Sequence, residues 1–407
     1  MSLARAFTAL LCMFVMAKVV AAEPLATGLR PGAAERIDQY FNAAISGGRV
    51  PGAVVMVSRN GHLAYQGVFG VSDPRTGVPM SFDSIFRIAS MTKPVTAVAA
   101  LILADEGKLK LQDPISKYLP YMRGPTLLAD AGADAELKRV RADREITIHD
   151  LLTHTSGITY GAGDSAAERL MRQTRINAAA QFGMTDQQVA EELARLPLMF
   201  QPGTAWFYGR STDILLALVE AVGGEPADRF YRERIFEPLK MHDTFFRVPP
   251  EKVSRLARSV KDPATADIAR PSLYLGGGDG LWSTAPDYMR FATMLFNLGE
   301  LDGVRILKVA TAKSMTTDQI GPGLARGKNY FPGIGVGFGY TVAVRTAPGA
   351  ADRPGSVGAF WWTGYRGTTF RVDHRSNLVT VTMMDASGPP QSAINGDLYR
   401  IIYKNLD

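Results

Sequence analysis

The sequence predicts a mixed α/β protein, in which an antiparallel sheet drawn from both ends of the chain is flanked by helices and stands beside a large, mostly helical lobe. Strand-like alternation occurs around Asn60-Gly61 and again through the last third of the chain. Between about residues 92 and 300, apolar residues instead recur at helical spacing. The simplest assembly of this pattern is one sheet with a helical insertion.

The N-terminal elements are the most sharply defined. Residues 33–46, AAERIDQYFNAAIS, carry apolar residues at helical spacing and stop at Gly47-Gly48. The following GAVVMVSRNGHLAYQGVFG alternates around Asn60-Gly61. Asn-Gly between two alternating runs predicts a tight hairpin, because both turn residues must adopt positive φ.

The C-terminal third completes the predicted sheet. Four alternating runs are expected to be strands, at 336–344, 358–364, 367–374 and 377–385, and residues 393–406 are expected to close the chain as a helix. The middle of the chain predicts helices at 95–106, 186–196, 211–222 and 286–298.

These elements are expected to form one catalytic domain over residues 23–407. The α/β lobe would comprise about 30–90 and 300–407, and the helical lobe about 91–299. Crevices between two such lobes are common places for sites.

The first 22 residues have the features of a secretory leader. Arg5 precedes an apolar run, and small residues at Val20 and Ala22 favour cleavage after Ala22. Lys18 interrupts the run, so a helix that stays attached is the alternative. The run is shorter than the roughly 20 residues of a membrane span, and no stable membrane insertion is expected. We therefore expect a periplasmic or secreted protein.

Composition excludes several classes of function. The chain has 407 residues, of which 46% are hydrophobic, and a formal charge of +6. Its basic residues are dispersed, and the charge-rich ELKRVRADRE (136–145) mixes both signs, so no nucleic-acid partner is expected. Cys12, the only cysteine, lies in the leader, which excludes disulfides, thiolate metal sites and a cysteine nucleophile from the mature chain.

One short pattern carries candidate chemistry. In FRIASMTKPVTAVAALILADEGKL, Ser90 stands at the entrance of an apolar helix, where the first N–H groups are unpaired. Lys93 follows about one turn later, so its amine is within reach of the Ser90 hydroxyl, and burial is expected to lower its pKa. Taken alone, the tetrad is more typical of an ordinary helix start, with Ser90 as a capping residue and Lys93 as a solvated first-turn lysine.

Two later segments supply partners. Tyr208 lies in a loop before the apolar helix of residues 211–222, from which a phenol can share a proton with Lys93. In FWWTGYRGTTF, Trp362-Thr363-Gly364 lies on a predicted strand, and its glycine permits close approach of a ligand. The N–H groups of Ser90 and Tyr365 are the candidate oxyanion donors.

Together these motifs resemble the serine hydrolases built like class C β-lactamases and penicillin-binding proteins, especially their esterase branch, the family VIII carboxylesterases. The resemblance covers nearly the whole mature chain and follows the family's motif order. The matching segments are FRIASMTKPVTA, ITIHDLLTHTSGI (146–158), FYGRSTDILLALVEAVGG, GGGDGLWSTAPDYMRFATML (276–295) and WTG (362–364). It implies a β-lactamase-like fold, Ser90 as nucleophile, Lys93 and Tyr208 as its proton partners, and no cofactor.

Two departures from the family pattern bear on the substrate. Arg210 replaces the asparagine of Tyr-x-Asn, and Trp362 replaces the lysine of Lys-Thr-Gly. Both disfavour β-lactams and favour a neutral, apolar ester, and the resemblance to the esterase branch implies a short acyl chain. Arg366 is a candidate replacement cation. The pocket is expected to include these residues together with Trp206, Phe207, Thr363, Gly364 and Tyr365.

Other activities remain as alternatives. A weak β-lactamase or a D-amino-acid peptidase would use the same machinery, and a sensor would be acylated without turnover. His154 beside Ser156 suggests a Ser–His pair, but the resemblance makes it structural, and no Gly-x-Ser-x-Gly elbow occurs. No zinc or nucleotide motif occurs, so no metal is expected. The partner expected is a small-molecule ester, and the oligomeric state is left open.

Overall fold

The computed structural model describes residues 28–129, 138–259, 272–327, 330–348, 354–386 and 390–407. The predicted leader, residues 1–22, lies outside them. Within the described parts of the chain, no helix is long and apolar enough to span a membrane.

The fold is the predicted mixture of strands and helices. The strands are β1 Gly52–Arg59, β2 His62–Asp73, β3 Val78–Pro79, β4 Phe86–Arg87, β5 Thr126–Leu128, β6 Arg139–Arg141, β7 Trp282–Ser283, β8 Glu300–Leu301, β9 Val304–Arg305, β10 Val336–Phe338, β11 Ala343–Arg345, β12 Phe360–Thr363, β13 Thr369–Asp373 and β14 Leu378–Met384. The α-helices are α1 Ala33–Ser46, α2 Thr92–Asp105, α3 Ile148–Leu152, α4 Ala166–Arg172, α5 Asp186–Ala194, α6 Ser211–Gly223, α7 Ala227–Tyr231, α8 Ala285–Phe296, α9 Val309–Met315 and α10 Pro390–Lys404.

Eight strands form one sheet in the order β10-β11-β12-β13-β14-β1-β2-β3. The two ends of the chain meet where β1 pairs antiparallel with β14, from Ala53 opposite Met384 to Arg59 opposite Leu378. The β1–β2 turn is the predicted hairpin, with φ of 53° at Asn60 and 79° at Gly61. The antiparallel sheet built from both termini is therefore confirmed.

One strand prediction was wrong. The run 336–344 forms two strands, β10 and β11, which pair with each other from Val336 opposite Arg345 to Phe338 opposite Ala343. Thr341 takes a φ of 64° in the turn between them. The apolar pattern continues through this turn because its residues are buried like the strands beside it, so period-2 alternation gave no sign of the break.

Helices cover both faces of the sheet. Along β1, Ala53, Val55 and Val57 belong to the core that α1 and α10 close, which includes Phe41 and Leu398. The alternate residues of β1 belong to the other core, where α8 packs against β13 and β14. Because β1 is buried on both faces, each large apolar side chain there contributes about 1.5–3 kcal/mol to stability.

Helix α2 lies at the centre of the molecule and packs against α6. All its residues from Thr92 to Leu103 are buried, including Lys93. A helix that is apolar all round belongs in a protein interior rather than on its surface. The N-terminus of α2 therefore opens directly into the crevice beside the sheet, where the candidate site lies.

Candidate active site

Ser90 stands in a single 3-10 turn, Ala89–Met91, that leads into α2. Ala89 has a φ of 45°, a conformation that costs free energy for a residue with a β-carbon and that clusters at functional sites. Three hydrogen bonds fix the turn: Ile88 N–H to Leu281 O, Thr368 Oγ1 to Ile88 O, and Tyr288 Oη to Met91 O, at 3.0, 3.2 and 2.8 Å. The surrounding structure thus holds Ser90 directly after a residue with a strained backbone.

Lys93 is fully buried and directed at Ser90. Its Nζ donates to Ser90 Oγ at 3.2 Å and to Gly278 O at 2.7 Å. A β-carbon on Gly278 would lie 3.2 Å from Nζ, which is closer than most real contacts. The glycine-rich GGGDG segment (276–280) therefore forms a tight turn near the site, and its Gly278 carbonyl is the second hydrogen-bond acceptor of Lys93.

Tyr208 forms the wall beside this pair. Lys93 Nζ lies 4.8 Å from the centre of its ring, which also packs against His154, Phe331 and Trp362 with centroids 4.8, 5.2 and 5.5 Å away. The Oη atom is buried, and no described residue hydrogen-bonds to it. Its hydrogen-bonding capacity is therefore available to a ligand in the cavity.

Tyr160 was missed by the sequence analysis. Lys93 Nζ lies 5.5 Å from its ring centre, and a β-carbon on Gly278 would lie 3.2 Å from its Oη. Burial raises the pKa of Tyr160 despite the opposing effect of Lys93, so its phenol is neutral. The available signal was its place just after the THTSGI segment, but the residue type alone did not distinguish it.

The expectation that burial would leave Lys93 neutral was wrong in its net direction. Complete burial lowers the pKa of Lys93, but the phenolic oxygens of Tyr160 and Tyr208 raise it, and the raising effect prevails. The titration of Lys93 is therefore coupled to its two tyrosine neighbours.

The rival Ser–His pair does not form. Ser156 Oγ is 2.9 Å from Ser211 Oγ, and both residues are buried. Burial, with the charge of Lys93, lowers the pKa of His154 well below its usual range, so the ring is neutral. The ring packs against Trp206 and Tyr208, which supports a structural role.

Arg210 lies in a buried network behind the site. It donates to Asp213 Oδ2 at 3.4 Å, to Tyr274 Oη at 3.2 Å and to Asn177 Oδ1 at 2.9 Å. Asp213 Oδ1 in turn accepts from Gly278 N–H at 3.3 Å. Arg210 thus contacts the turn that holds Lys93 through Asp213, and it does not line the cavity.

The end of β12 borders the site from the other side. Gly364 N–H donates to Thr368 O at 2.7 Å, and a β-carbon on Gly364 would lie 2.4 Å from Ile88 O. The glycine therefore lets the β12–β13 turn approach the segment that carries Ser90. Tyr365 follows in this turn with its ring mostly exposed. The N–H groups of Ser90 and Tyr365 donate to no other described residue.

A cavity of about 560 Å³ opens on these residues. Ser90, Tyr208, Trp362, Thr363, Gly364 and Tyr365 line it, and Phe331 and Pro332 lie at its wall as additional residues that the sequence did not indicate. A volume of several hundred cubic ångströms fits a small ligand.

Three more predicted pocket residues lie outside the cavity lining. Trp206 is buried behind Tyr208, with ring centroids 6.1 Å apart, and Phe207 packs against Phe200. Arg366 forms an ion pair with Asp385 at 3.0 Å. Trp206 therefore supports the wall from behind, and Arg366 is engaged with another part of the chain.

Across the ranges that the structure describes, no three His, Cys, Asp or Glu side chains converge in a way that could hold a metal ion.

Comparison with known proteins identifies the family. The family model described as beta-lactamase matches residues 37–403. The chain belongs to the beta-lactamase family.

Its relatives include Protein Rv1367c of Mycobacterium tuberculosis (strain ATCC 25618 / H37Rv), 36% identical over 371 residues, which cover 86% of this chain and 90% of the relative. Esterase EstB of Burkholderia gladioli is 30% identical over 401 residues, covering 90% and 95%. Among solved structures, EstCE1, described as a hydrolase with promiscuous acyltransferase activity, aligns with a TM-score of 0.78 and 25% identity over 91% of this chain and 98% of that one. The chain is thus an enzyme, a serine hydrolase of the branch that contains esterases, and it has the β-lactamase-like fold.

Proposed function

We propose that this enzyme hydrolyses short-chain carboxylic esters through an acyl-enzyme on Ser90. The observation that carries the proposal is the 3.2 Å contact between Lys93 Nζ and Ser90 Oγ at the border of the cavity. The esterase relatives support the ester as substrate.

In the first step, Ser90 Oγ attacks the ester carbonyl carbon, and its proton passes to the coupled Lys93–Tyr208 pair. The N–H groups of Ser90 and Tyr365 stabilise the negative charge that develops on the carbonyl oxygen. The alcohol leaves with the proton returned by the pair. Water then attacks the acyl-enzyme by the reverse sequence and releases the acid.

The character of the cavity wall supports an ester over a β-lactam. Trp362 is buried there and packs against Tyr208 and Phe331, with both ring centroids 5.5 Å away. No cation projects from this position of β12 toward Ser90, so a substrate carboxylate gains no charge-assisted hydrogen bond from it. An uncharged acyl chain needs no such hydrogen bond, so the absence of a cation here does not weaken its binding.

The test is hydrolysis of p-nitrophenyl acetate and butyrate by the wild type and by Ser90→Ala. We expect kcat/KM to fall by at least about 10³-fold, because the variant has no nucleophile. Ser156→Ala is the matched control for the rival serine, and its kcat/KM should stay within a few-fold of the wild type. Unchanged activity in Ser90→Ala would exclude Ser90 as the nucleophile.

A second set of assays distinguishes the alternative activities. Faster turnover of nitrocefin than of either ester would favour a β-lactamase. A fluorophosphonate adduct on Ser90 without turnover of any ester would favour a sensor. Mass spectrometry of a digest identifies the modified residue in each case.

A further inference from the structure

The cavity that begins at Ser90 continues past β12 to the opposite face of the sheet. Trp362 faces Tyr208, whereas its neighbours Trp361 and Thr363 point to the other face, toward α10. The cavity lining includes residues of both faces, with Arg371 of β13 and Asn395 and Tyr399 of α10 on the far side. We call this far part the α10 compartment.

Arg371 brings a positive charge into the α10 compartment. It pairs with Trp361 across the β12–β13 ladder and is only 1% exposed. Its guanidinium lies 4.0 Å from the ring centre of Tyr399 and 4.8 Å from that of Trp361. Stacking between aromatic rings partly compensates the charge and leaves the edge of the guanidinium for hydrogen bonding.

No carboxylate in the described ranges forms an ion pair with Arg371. One of its terminal nitrogens donates to Pro354 O, but the buried Nε has no partner. Asp373 is the acid on the same face of the strand, and its oxygens already accept from Ser356 N–H, Ser376 N–H and Tyr403 Oη. A buried cation without an anion is unfavourable, so an anion in the cavity would complete this site.

Asn395 has a second buried polar atom that lacks a hydrogen-bond partner. Its Nδ2 donates to Gly367 O at 3.1 Å, and because a carbonyl can only accept, the amide orientation is fixed. The Oδ1 atom is then a buried acceptor without a donor. The α10 compartment therefore lacks one anionic acceptor, for Arg371, and one hydroxyl or amide donor, for Asn395.

We propose that the α10 compartment is a subsite for a hydroxy-carboxylate group, so that the preferred esters carry a carboxylate remote from the bond that is cleaved. The carboxylate would accept from Arg371 and the neighbouring hydroxyl would donate to Asn395. This rests on the proposed function and narrows it. Trp362 leaves the Ser90 side of β12 without a cation. Arg371 supplies a cation on the opposite face of the sheet, where it would bind the far end of the substrate.

Binding to Ser90→Ala, which cannot turn over, tests the compartment directly. Isothermal titration calorimetry should detect malate and succinate, and malate should bind more tightly because it carries a hydroxyl. Arg371→Met should weaken both by about tenfold or more, through loss of a charge-assisted hydrogen bond. Asn395→Leu should remove only the advantage of malate over succinate.

Turnover gives an independent readout. Monoethyl esters of dicarboxylic acids from succinate to suberate are compared with the corresponding diethyl esters by pH-stat titration. At one chain length, the kcat/KM of the wild type should be at least roughly tenfold higher for the monoester than for the diester, and the difference should come from a lower KM. Arg371→Met should abolish that preference and leave the diethyl ester unaffected, and Arg371→Lys should restore part of it.

Arg400→Gln is the matched control, because Arg400 lies on α10 but outside the cavity and pairs with Asp397. Its monoester preference should equal that of the wild type. Equal rates for monoester and diester at every chain length, or a loss in Arg371→Met that affects both alike, would overturn the inference and leave the esterase proposal intact. Arg371-dependent binding of malate by a protein that hydrolyses no ester would support the subsite and contradict the esterase proposal. If Arg371→Met fails to fold, the malate-to-succinate ratio in Asn395→Leu decides, and an unchanged ratio rejects the subsite.

Discussion

At Gly364, a single missing β-carbon sets the distance between the sheet and the segment that carries Ser90, the proposed nucleophile. Thr368 Oγ1 and Ile88 O stand 2.2 and 2.4 Å from the position that a β-carbon would occupy. Ile88 immediately precedes the strained turn of Ala89 and Ser90. In the proposed reaction, Gly364 thus acts through backbone placement and contributes no functional group of its own.

Gly364→Ala should therefore have a larger effect on kcat than on the free energy of unfolding. Overpacking of this kind costs about 1–3 kcal/mol, and the backbone shift that relieves it moves Ser90 relative to Tyr365. We expect kcat on p-nitrophenyl butyrate to fall by about tenfold or more. Gly323→Ala is the control, because nothing lies within 4 Å of its β-carbon position. A Gly364→Ala enzyme with wild-type kcat would show that the turn can shift without moving the site.

At the scale of elements, the N-terminus of α6 is linked to Lys93 of α2 by a buried ion pair and by the backbone of Gly278. Arg210 and Asp213 are three residues apart at the N-terminus of α6, and both are buried. Burial raises the pKa of Asp213, while Arg210 opposes this and keeps its carboxylate paired. The carboxylate accepts from Gly278 N–H, and Gly278 O accepts from Lys93.

Arg210→Met should destabilise the enzyme because it leaves Asp213 buried without its cation. Breaking a buried pair from one side costs about 3–5 kcal/mol, whereas replacing both charges is far less costly. We expect Arg210→Met/Asp213→Asn to recover most of the lost free energy of unfolding in urea titrations. Additive losses in the double variant would contradict coupling between the two residues.

The sequence predicted the elements whose signals are local. Helix α1 and the Asn60-Gly61 hairpin were confirmed because apolar period and turn chemistry are encoded in neighbouring residues. Motif order singled out Ser90, Lys93 and Tyr208, which the structure brings together, and their catalytic roles stay a prediction. Tyr160 could not be predicted, because its place depends on a long-range contact, that of Lys93 with Gly278, 185 positions away. The division between β10 and β11 could not be predicted, because the turn residues are buried like the strands beside them.

The residues that line the pocket also could not all be predicted from the sequence. Trp206 and Trp362 are both aromatic residues near a motif, yet only Trp362 lines the cavity. Arg371 sits in an ordinary alternating strand, and its position against Tyr399 of α10 without an anionic partner follows from how the helix covers the sheet. Such properties belong to packing and have no signature in spacing or composition.

At the scale of the whole molecule, the Gly276–Gly280 turn joins three helices of the helical lobe. Lys93 and Thr96 of α2 donate to its carbonyls, and Asp213 of α6 accepts from Gly278 N–H. Asp186 of α5 accepts from the N–H groups of Leu275 and Gly276 at 2.8 and 3.0 Å. Lys93 is therefore positioned by a turn whose stability depends on ionisable groups.

Asp186 should make the enzyme less stable as the pH rises through the weakly acidic range. Burial raises the pKa of Asp186 from its ordinary value of 3.8 to about 7, although the two N–H donors oppose the shift. Between these values the folded chain holds a proton that the unfolded chain has lost. The stabilisation is thus complete below about pH 4, is lost as the pH rises to about 7, and amounts to a few kcal/mol at most.

Urea unfolding at pH 5 and pH 8 measures this effect. Asp186→Asn removes the titration and keeps an acceptor for one N–H, so its stability should fall less than that of the wild type between the two pH values. Asp287 and Glu220, whose pKa values burial also raises, will retain part of the slope in the variant. Asp164→Asn is the control, because that carboxylate is exposed. An Asp186→Asn slope identical to the wild type would mean that Asp186 is ionised at both pH values, and that the two N–H donors outweigh its burial.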